Sequence, residues 1–357
     1  MLSPAVGSRP PPFVGQRRVV EYFRRLGAGG LGHAYLFCGP RGVGKRTFAS
    51  VLALTLHCER PASFPTGYCG QCPPCRRGIA GSSGDTILVD LAFIRLADEE
   101  ASGSDRKTDT LGIKTSLKVR RLMELHSYEG GRLVCIVPDF DRVTPNRDEA
   151  YNALLKELEE PRPGKLFLLT TERPDLILPT VRSRTTMVRF DALHETEIAR
   201  ALVDLRDDTP ADAAVIARRA QGSLGDALAD HDTERTALRQ AARRWIVGCL
   251  TGPKQLPQAP DLGKDDPKGV LHEVIRQSRL VVRDFMAGAI AGEGAIVDMQ
   301  ALDDCRSVWR AFGPAAASKT VRCLMAIDEA ARIATTNVPP ATLFAWLEME
   351  LRSLAAM

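Results

Sequence analysis

A glycine-rich loop between a short apolar run and a helical pattern is the feature that most restricts how this chain can fold. The apolar run YLFCG (35–39) ends in glycine, and the loop GPRGVGK (39–45) leads into the helix-like segment TFASVLALTLHC (47–58). The loop fits the pattern GxxxxGK, in which backbone N–H groups and the N-terminus of the following helix surround phosphate oxygens. Strand, loop and helix in this order favour a phosphate loop over a Gly-rich turn without a ligand. The nucleotide-binding residues it predicts are Gly39, Gly42, Gly44 and Lys45.

Further short apolar runs predict more strands of the same sheet. Amphipathic segments at 117–125 and 149–158 separate them, and this alternation is typical of an α/β fold with a parallel sheet flanked by helices. The polar stretch 97–112 contains Gly and Ser without periodicity, which predicts a mobile surface loop. The additional predicted strands are TILVDL (86–91), RLVCIV (132–137) and KLFLLT (165–170).

From residue 191 onward the pattern is helical only. A Gly-, Pro- and Asp-rich stretch at 251–269 interrupts it, and elsewhere apolar residues recur three to four positions apart. We therefore predict three domains: an α/β domain over 1–190, a small helical domain over 191–234 and a helical bundle over 235–357. The predicted helices lie at 195–205, 210–220, from about 223, and at 235–250, 268–287, 301–312, 318–334 and 340–354.

The positions that would support nucleotide hydrolysis depart from the expected pattern. Arg46 follows the loop lysine, where a Ser or Thr would hold Mg²⁺, and Thr47 lies about 100° further around the helix. At the end of the strand 132–137, Pro138 stands where an aspartate would hold the metal. Asp139 and Asp141 follow it, either as part of the site or as solvated charges at a strand end. Nucleotide binding is compatible with these residues, whereas metal-assisted hydrolysis is not expected.

Four of the nine cysteines form a cluster with the spacing C-x10-C-x2-C-x2-C, and glycines and prolines lie between them. Four thiolates complete a tetrahedral zinc shell, and a shell without an open position is structural. Two successive CxxC steps disfavour unrelated thiols, and a redox CxxC would need only two cysteines. We predict a zinc module over about 56–78, with Cys58, Cys69, Cys72 and Cys75 as ligands. The other five cysteines lie in apolar contexts and are expected in the core.

A basic segment, TVRSR (180–184), follows the strand 165–170 and a turn that contains Pro174 and Pro179. Basic loops are commonly just solvated. In proteins with this strand order, an arginine placed there can reach the γ-phosphate of a neighbouring subunit, where its planar guanidinium neutralises charge in the transition state. Arg184 is therefore the candidate catalytic residue, acting in trans.

Taken in order, these segments resemble bacterial clamp-loader AAA+ subunits of DNA polymerase III. The resemblance extends from about Val14 to Leu228, and the stretch 326–354 resembles the last helices of that family's collar domain. It implies a lid domain over 191–234 and a collar, or oligomerisation, domain over 235–357. The segments that carry it are HAYLFCGPRGVGKRT, the four-cysteine module, YEGGRLVCIVPDFDRV, NALLKELEEPRPGKLFLLTT, LILPTVRSR and QGSLGDAL.

Within this family the resemblance favours the delta-prime type over the gamma/tau motor type. A motor would have Ser or Thr at Arg46, an acidic pair at 138–139, and an arginine at Gly225, since the motor pattern reads GSLRDAL. Arg184 stands at the arginine-finger position of the family's SRC motif, although Thr185 replaces its cysteine. In the delta-prime type, the subunit keeps the arginine finger but has no working ATP site of its own.

The resemblance implies a delta-prime-like subunit that hydrolyses no ATP, donates Arg184 in trans and helps to load the sliding clamp onto primed DNA. The partners it implies are gamma/tau-type motor subunits, a delta subunit, the sliding clamp and, through the assembly, primer–template DNA. The implied cofactor is structural Zn²⁺, with ATP or ADP binding left open. The alternative is an ATP-hydrolysing gamma/tau-type motor that uses Thr47 and Asp139.

A third interpretation, a stand-alone zinc-containing DNA-binding protein, is disfavoured by charge. The chain has 48 Lys and Arg residues against 44 Asp and Glu residues, and phosphate contacts dominate such affinity. No apolar run approaches the ~18–20 residues of a membrane-spanning helix, and the sequence MLSPAVGSRPPPF offers no apolar segment for a signal peptide. A cytoplasmic location is expected.

Overall fold

The computed structural model describes residues 13–102, 113–128, 131–142, 155–230, 233–252, 260–261, 267–298, 301–334, 336 and 338–356. Its contacts divide the chain into two compact units, of which one ends at Ala227 and the other begins at Leu228. The finer division at residues 190 and 234 stays a prediction.

The first unit is built on a parallel sheet, which confirms the predicted α/β fold. Among the described residues the strand order is β2-β3-β4-β1-β5, and each of the neighbouring pairs is parallel. β1, β3 and β4 are buried along their whole length, as expected for central strands with both faces covered. β5 was not predicted from the sequence, because it is a four-residue edge strand with three exposed residues. The strands are β1 (Ala34–Cys38), β2 (Thr86–Leu88), β3 (Leu133–Val137), β4 (Lys165–Thr171) and β5 (Thr186–Arg189).

Helices cover both faces of this sheet. Alternate residues of β1 enter two different cores: Leu36 packs in one and Phe37 in the other, where it contacts the rings of Phe23, Phe48 and Phe190. The helices are α1 (Arg17–Leu26), α2 (Lys45–His57), α3 (Pro73–Ile79), α4 (Leu91–Ser102), α5 (Ile113–Glu124), helical residues 155–159 (α6) and α7 (Pro179–Arg182).

The prediction of a mobile loop over 97–112 is wrong for residues 97–102, which belong to α4. Ile94 and Ala97 are buried three positions apart, and this spacing keeps the segment helical although its following residues are acidic. Residues 103–112 lie outside the described part of the chain, as does most of the predicted helix 149–158.

Three helices complete the first unit: α8 (Glu195–Arg206), α9 (Pro210–Ala220) and α10 (Leu224–Leu228), where α10 ends just past the boundary. Their starts agree with the sequence because each has a local signal. Thr209 accepts a hydrogen bond from the backbone N–H of Asp212, and Pro210 occupies the first helical position of α9. Ser223 accepts a hydrogen bond from the backbone N–H of Asp226 at the start of α10.

The second unit is helical, as predicted. Its core includes Trp245, which stacks on Phe344 with 4.4 Å between ring centroids, and the fully buried Phe285. No helix in the described part of the chain combines the length and apolar character needed to cross a bilayer. The helices are α11 (Thr233–Thr251), α12 (Pro267–Ala291), α13 (Leu302–Phe312), α14 (Ala316–Ile333) and α15 (Pro340–Ala356).

Candidate phosphate-binding site and metal centre

The glycine-rich loop leaves the carboxyl end of β1 and enters α2 at Lys45, as the sequence predicts. Gly44 caps α2 in a left-handed conformation, with φ +98°. Gly42 also has a positive φ, +72°, and a Cβ there would lie 2.1 Å from Oγ of Ser223. Both positions therefore require glycine, since an L side chain is strained in this region and Gly42 has no space for one.

Lys45 is directed back at its own loop. The side chain is 6% exposed, and Nζ donates hydrogen bonds to the carbonyl oxygens of Gly39, at 2.7 Å, and Pro40, at 2.6 Å. Burial lowers the pKa of Lys45, and the nearby charges of Glu172 and Asp139 oppose this shift. The ammonium group thus lies at the loop, with its hydrogen bonds made to backbone carbonyls.

Arg46, the residue after the lysine, forms an ion pair with Asp90 at the start of α4. Its Nη2 lies 3.6 Å from Oδ2 of Asp90, whose other carboxylate oxygen accepts the backbone N–H of Phe93 at 3.1 Å. The position that would carry a metal-holding hydroxyl therefore carries a cation in an ion pair.

The acidic residues after β3 have different roles. Asp139 adopts a positive φ of 48°, and its backbone N–H donates to Oγ1 of Thr170 at 3.0 Å. The Asp141 carboxylate is 5% exposed, accepts the hydroxyl of Thr171 at 2.9 Å and pairs with Nε of Arg173 at 3.3 Å. Asp141 therefore connects the ends of β3 and β4, which is a structural role.

Glu172 belongs to the same site, and sequence reasoning missed it. It directly follows β4, which lies between β3 and β1 in the sheet. Although Glu172 is exposed, the surrounding atoms partly desolvate its carboxyl group and raise its pKa, and the positive charge of Lys45 opposes that shift. Its relevance depends on the strand order, which the sequence alone does not supply.

The start of α10 packs directly against the phosphate loop. The backbone N–H of Gly225 donates to the carbonyl oxygen of Gly42 at 2.9 Å. A Cβ at Gly225 would lie 3.0 Å from Cα of Gly42, so a side chain there would press on the loop backbone. The residue at the position of the expected motor arginine is thus a glycine whose backbone contacts the loop.

Arg184 lies just after α7 and is held from two sides. Nη1 donates to the carbonyl oxygen of Thr180 at 2.8 Å and to Oγ of Ser183 at 3.3 Å. Nη2 forms an ion pair with Oε1 of Glu159 at 2.8 Å, and the Arg184 side chain remains 34% exposed. The sequence identified Arg184 but gave no signal for Glu159.

The four clustered cysteines meet between α2 and α3. Their sulfur atoms all lie within 4.8 Å of one another, with Cys58 directly after α2 and Cys75 inside α3. Backbone N–H groups of Gln71 and Cys72 each donate to Sγ of Cys69 at 3.4 Å, and they lower the pKa of the Cys69 thiol to about 6. Amide donors of this kind stabilise the thiolate that a metal requires.

The cluster fits a four-coordinate metal ion. Tetrahedral Zn²⁺ with bonds of about 2.3 Å separates its sulfur ligands by roughly 3.8 Å, and Sγ of Cys69 and Cys75 lie 4.0 Å apart. The donor set is all sulfur, which suits Zn²⁺ and leaves no position for a substrate. The other five cysteines, Cys38, Cys135, Cys249, Cys305 and Cys323, are buried in the cores, as predicted.

Comparisons with known proteins place these features in a family. The family described as DNA polymerase III, delta subunit, matches residues 15–194. DNA polymerase III subunit tau of Salmonella typhimurium is 29% identical over 94% of this chain and 49% of its own length. DNA polymerase III subunit delta' of Pseudomonas aeruginosa is 37% identical over 43% of this chain and 41% of its own length. The chain thus spans half or less of the length of these two relatives.

Among solved structures, a DNA polymerase III gamma subunit-related protein from Thermotoga maritima superimposes with a TM-score of 0.39 and 15% identity. That comparison covers 95% of this chain and 97% of the other.

Proposed function

The chain belongs to the family described as DNA polymerase III, delta subunit, a family of clamp-loader subunits, and we propose that it is a delta-prime-like member. In this role it is an AAA+ subunit that hydrolyses no ATP, joins gamma/tau-type motor subunits and a delta subunit, and donates Arg184 to the ATP site of an adjacent motor. The assembly loads a sliding clamp onto primer–template DNA in the cytoplasm.

The arrangement of the phosphate loop is the observation that carries this proposal. Phosphoryl transfer in P-loop proteins needs Mg²⁺, held by a hydroxyl after the lysine and by an aspartate at the end of the neighbouring strand. Here Arg46 pairs with Asp90, and Pro138 offers no ligand. Asp141, the remaining buried carboxylate after β3, is hydrogen-bonded to Thr171 and paired with Arg173. These contacts support a loop that can surround phosphate without activating water.

The placement of Arg184 supports a role in trans. It lies on the same unit as the loop, yet its guanidinium bonds to Glu159 and Thr180 and not to the loop. Its side chain is partly exposed, so an anionic oxygen of a neighbouring molecule can approach it. A planar guanidinium stabilises transferring phosphoryl groups better than an ammonium does.

The four cysteines support a structural zinc ion within the same proposal. Cys58, Cys69, Cys72 and Cys75 would hold it, and the ion would cross-link the segment between α2 and α3. Three of these residues are buried, and such a closed shell contributes to folding and not to chemistry.

The second candidate is an ATP-hydrolysing gamma/tau-type motor. The relatives favour it, since the Salmonella typhimurium protein is named tau and others are named gamma/tau. This candidate would need Thr47 to replace the metal-holding hydroxyl and Asp139 to replace the missing acidic group. Two observations do not favour it: Asp139 has a positive φ, and Thr47 lies about 100° around α2 from the position directly after the lysine.

ATP hydrolysis distinguishes the two candidates when it is measured on the purified chain and on an assembly reconstituted with the motor and delta subunits of the same genome. The delta-prime proposal expects no ATP hydrolysis by the chain alone, and reduced hydrolysis by the assembly when it contains Arg184→Ala. Steady ATP turnover by the chain alone, abolished by Lys45→Ala, would establish the motor instead.

A further inference from the structure

The guanidinium of Arg184 is held by two elements that are separate in sequence. Glu159, at the end of α6, accepts from Nη2, and the carbonyl oxygen of Thr180, in α7, accepts from Nη1, each at 2.8 Å. A single contact would leave the plane free to rotate about it. Two contacts at the two terminal nitrogens fix both the position and the plane.

This arrangement leaves the arginine able to act on another molecule. A guanidinium has five N–H donors, and within the described part of the chain that of Arg184 contacts Glu159, Thr180 and Ser183. The Arg184 side chain is 34% exposed, so an anionic oxygen can approach it. An arginine side chain has considerable rotamer entropy, and a side chain that is already ordered loses less of it when it meets that oxygen.

The ion pair is poorly suited to stabilising the fold. The Glu159 side chain is 45% exposed, and exposed ion pairs contribute little to unfolding free energy. Glu160 carries the same charge at the next position and is exposed, but Glu159 is the residue whose carboxylate reaches Arg184. Glu159 therefore pairs with Arg184 because of its position and direction, and not merely because it is acidic.

We propose that Glu159 is a positioning residue for Arg184, which fixes the guanidinium in the orientation that reaches the adjacent motor's ATP site. This inference rests on the proposed function of Arg184 in trans. Glu159 itself touches no substrate and acts through the arginine.

The test is ATP hydrolysis by the reconstituted assembly with Glu159→Ala, Glu159→Gln, Arg184→Ala, the double variant Glu159→Ala/Arg184→Ala, and the control Glu160→Ala. We expect Glu159→Ala to lower turnover about two- to fivefold, the range expected for an exposed pair. Glu159→Gln, whose amide oxygen still accepts a hydrogen bond, should lose less. Glu160→Ala should match the wild type, and the double variant should be no slower than Arg184→Ala alone.

Size-exclusion chromatography of each assembly shows whether the variant still joins its partners, and Glu159→Gln replaces Glu159→Ala if the latter fails to fold. If Arg184→Ala slows hydrolysis but both Glu159 variants match Glu160→Ala, the positioning role is wrong while the finger assignment stands. Faster hydrolysis by Glu159→Ala would mean that Glu159 restrains the arginine, which also overturns the proposal. If Arg184→Ala itself has no effect, the proposed function and this inference both fail.

Discussion

Replacement of Gly225 by alanine tests whether α10 is packed on the phosphate loop. Gly225 is the second residue of α10, where helix propensity alone favours alanine over glycine by up to about 1 kcal/mol. The contact with the loop predicts the opposite sign, because the new Cβ would lie 3.0 Å from Cα of Gly42 and 3.5 Å from its carbonyl oxygen. The two effects compete, and the sign of the result identifies the larger one.

The expected magnitude follows from the contacts. Because the obstructing atoms are backbone, α10 and the loop must separate by a few tenths of an ångström. This movement weakens the hydrogen bond from the Gly225 N–H to the Gly42 carbonyl, which contributes about 0.5–1.5 kcal/mol. Overpacking adds roughly 1–3 kcal/mol. After subtraction of the propensity gain of about 1 kcal/mol, the contact between α10 and the loop should weaken by about 0.5–3.5 kcal/mol.

Amide hydrogen exchange at residues 221–228 measures this free energy locally, which suits a chain of two units better than a global melting curve. A loss of about 0.5–3.5 kcal/mol corresponds to exchange roughly 2- to 400-fold faster at the amide of residue 225. Gly29→Ala is the matched control, because a Cβ at Gly29 meets nothing within 4 Å. It should leave exchange at 221–228 unchanged. Unchanged or slower exchange in Gly225→Ala would show that propensity dominates and that α10 does not press on the loop.

Four further predictions address the metal, the loop lysine, the finger arginine and the helical unit. Protein prepared without chelator should contain about one equivalent of zinc, and less than about half an equivalent by metal analysis contradicts this. Removal of the zinc should loosen residues 58–75 without unfolding the chain. Lys45→Ala should leave ATP hydrolysis of the assembly nearly unchanged, and a collapse of hydrolysis with normal complex formation would favour the motor candidate. Arg184→Ala should lower hydrolysis at the adjacent site by up to ~10³-fold, and Arg184→Lys should restore little of it. Arg182 is an exposed neighbour, and an equal loss in Arg182→Ala would refute the finger assignment. A chain that ends near residue 234 should fold, since both sheet cores lie before it, yet fail to join the motor subunits in size-exclusion chromatography.

The sheet was largely predictable because its central strands are continuous apolar runs next to turn signals. The predicted strand at 132–137 became Leu133–Val137, and the one at 165–170 became Lys165–Thr171. β5 was not predicted because a short edge strand needs few apolar residues, and among its four residues Val188 is the buried one. The full length of α4 was not predicted because the acidic residues near its C-terminal end have no apolar periodicity of their own.

The candidate site was predictable only where it is continuous in sequence. The glycine loop and the four cysteines each lie within one short segment, so spacing alone brings their members together. Glu172 and Glu159 are brought to the candidate site residues by contacts across the fold. Their roles depend on which strands are neighbours and where α6 ends, and both are set by long-range packing that a local pattern does not encode.

Two of the departures from the hydrolysing pattern, Arg46 and Gly225, make contacts within this fold. Arg46 replaces a hydroxyl and makes an ion pair with Asp90, at the residue that caps α4. Gly225 replaces an arginine and brings the backbone of α10 within hydrogen-bond distance of Gly42. The absence of a side chain at Gly225 favours this approach, since a Cβ there would lie 3.0 Å from Cα of Gly42. The close packing of α10 on the loop and the arginine expected of a motor at position 225 therefore compete, because any side chain there would press on the backbone of Gly42.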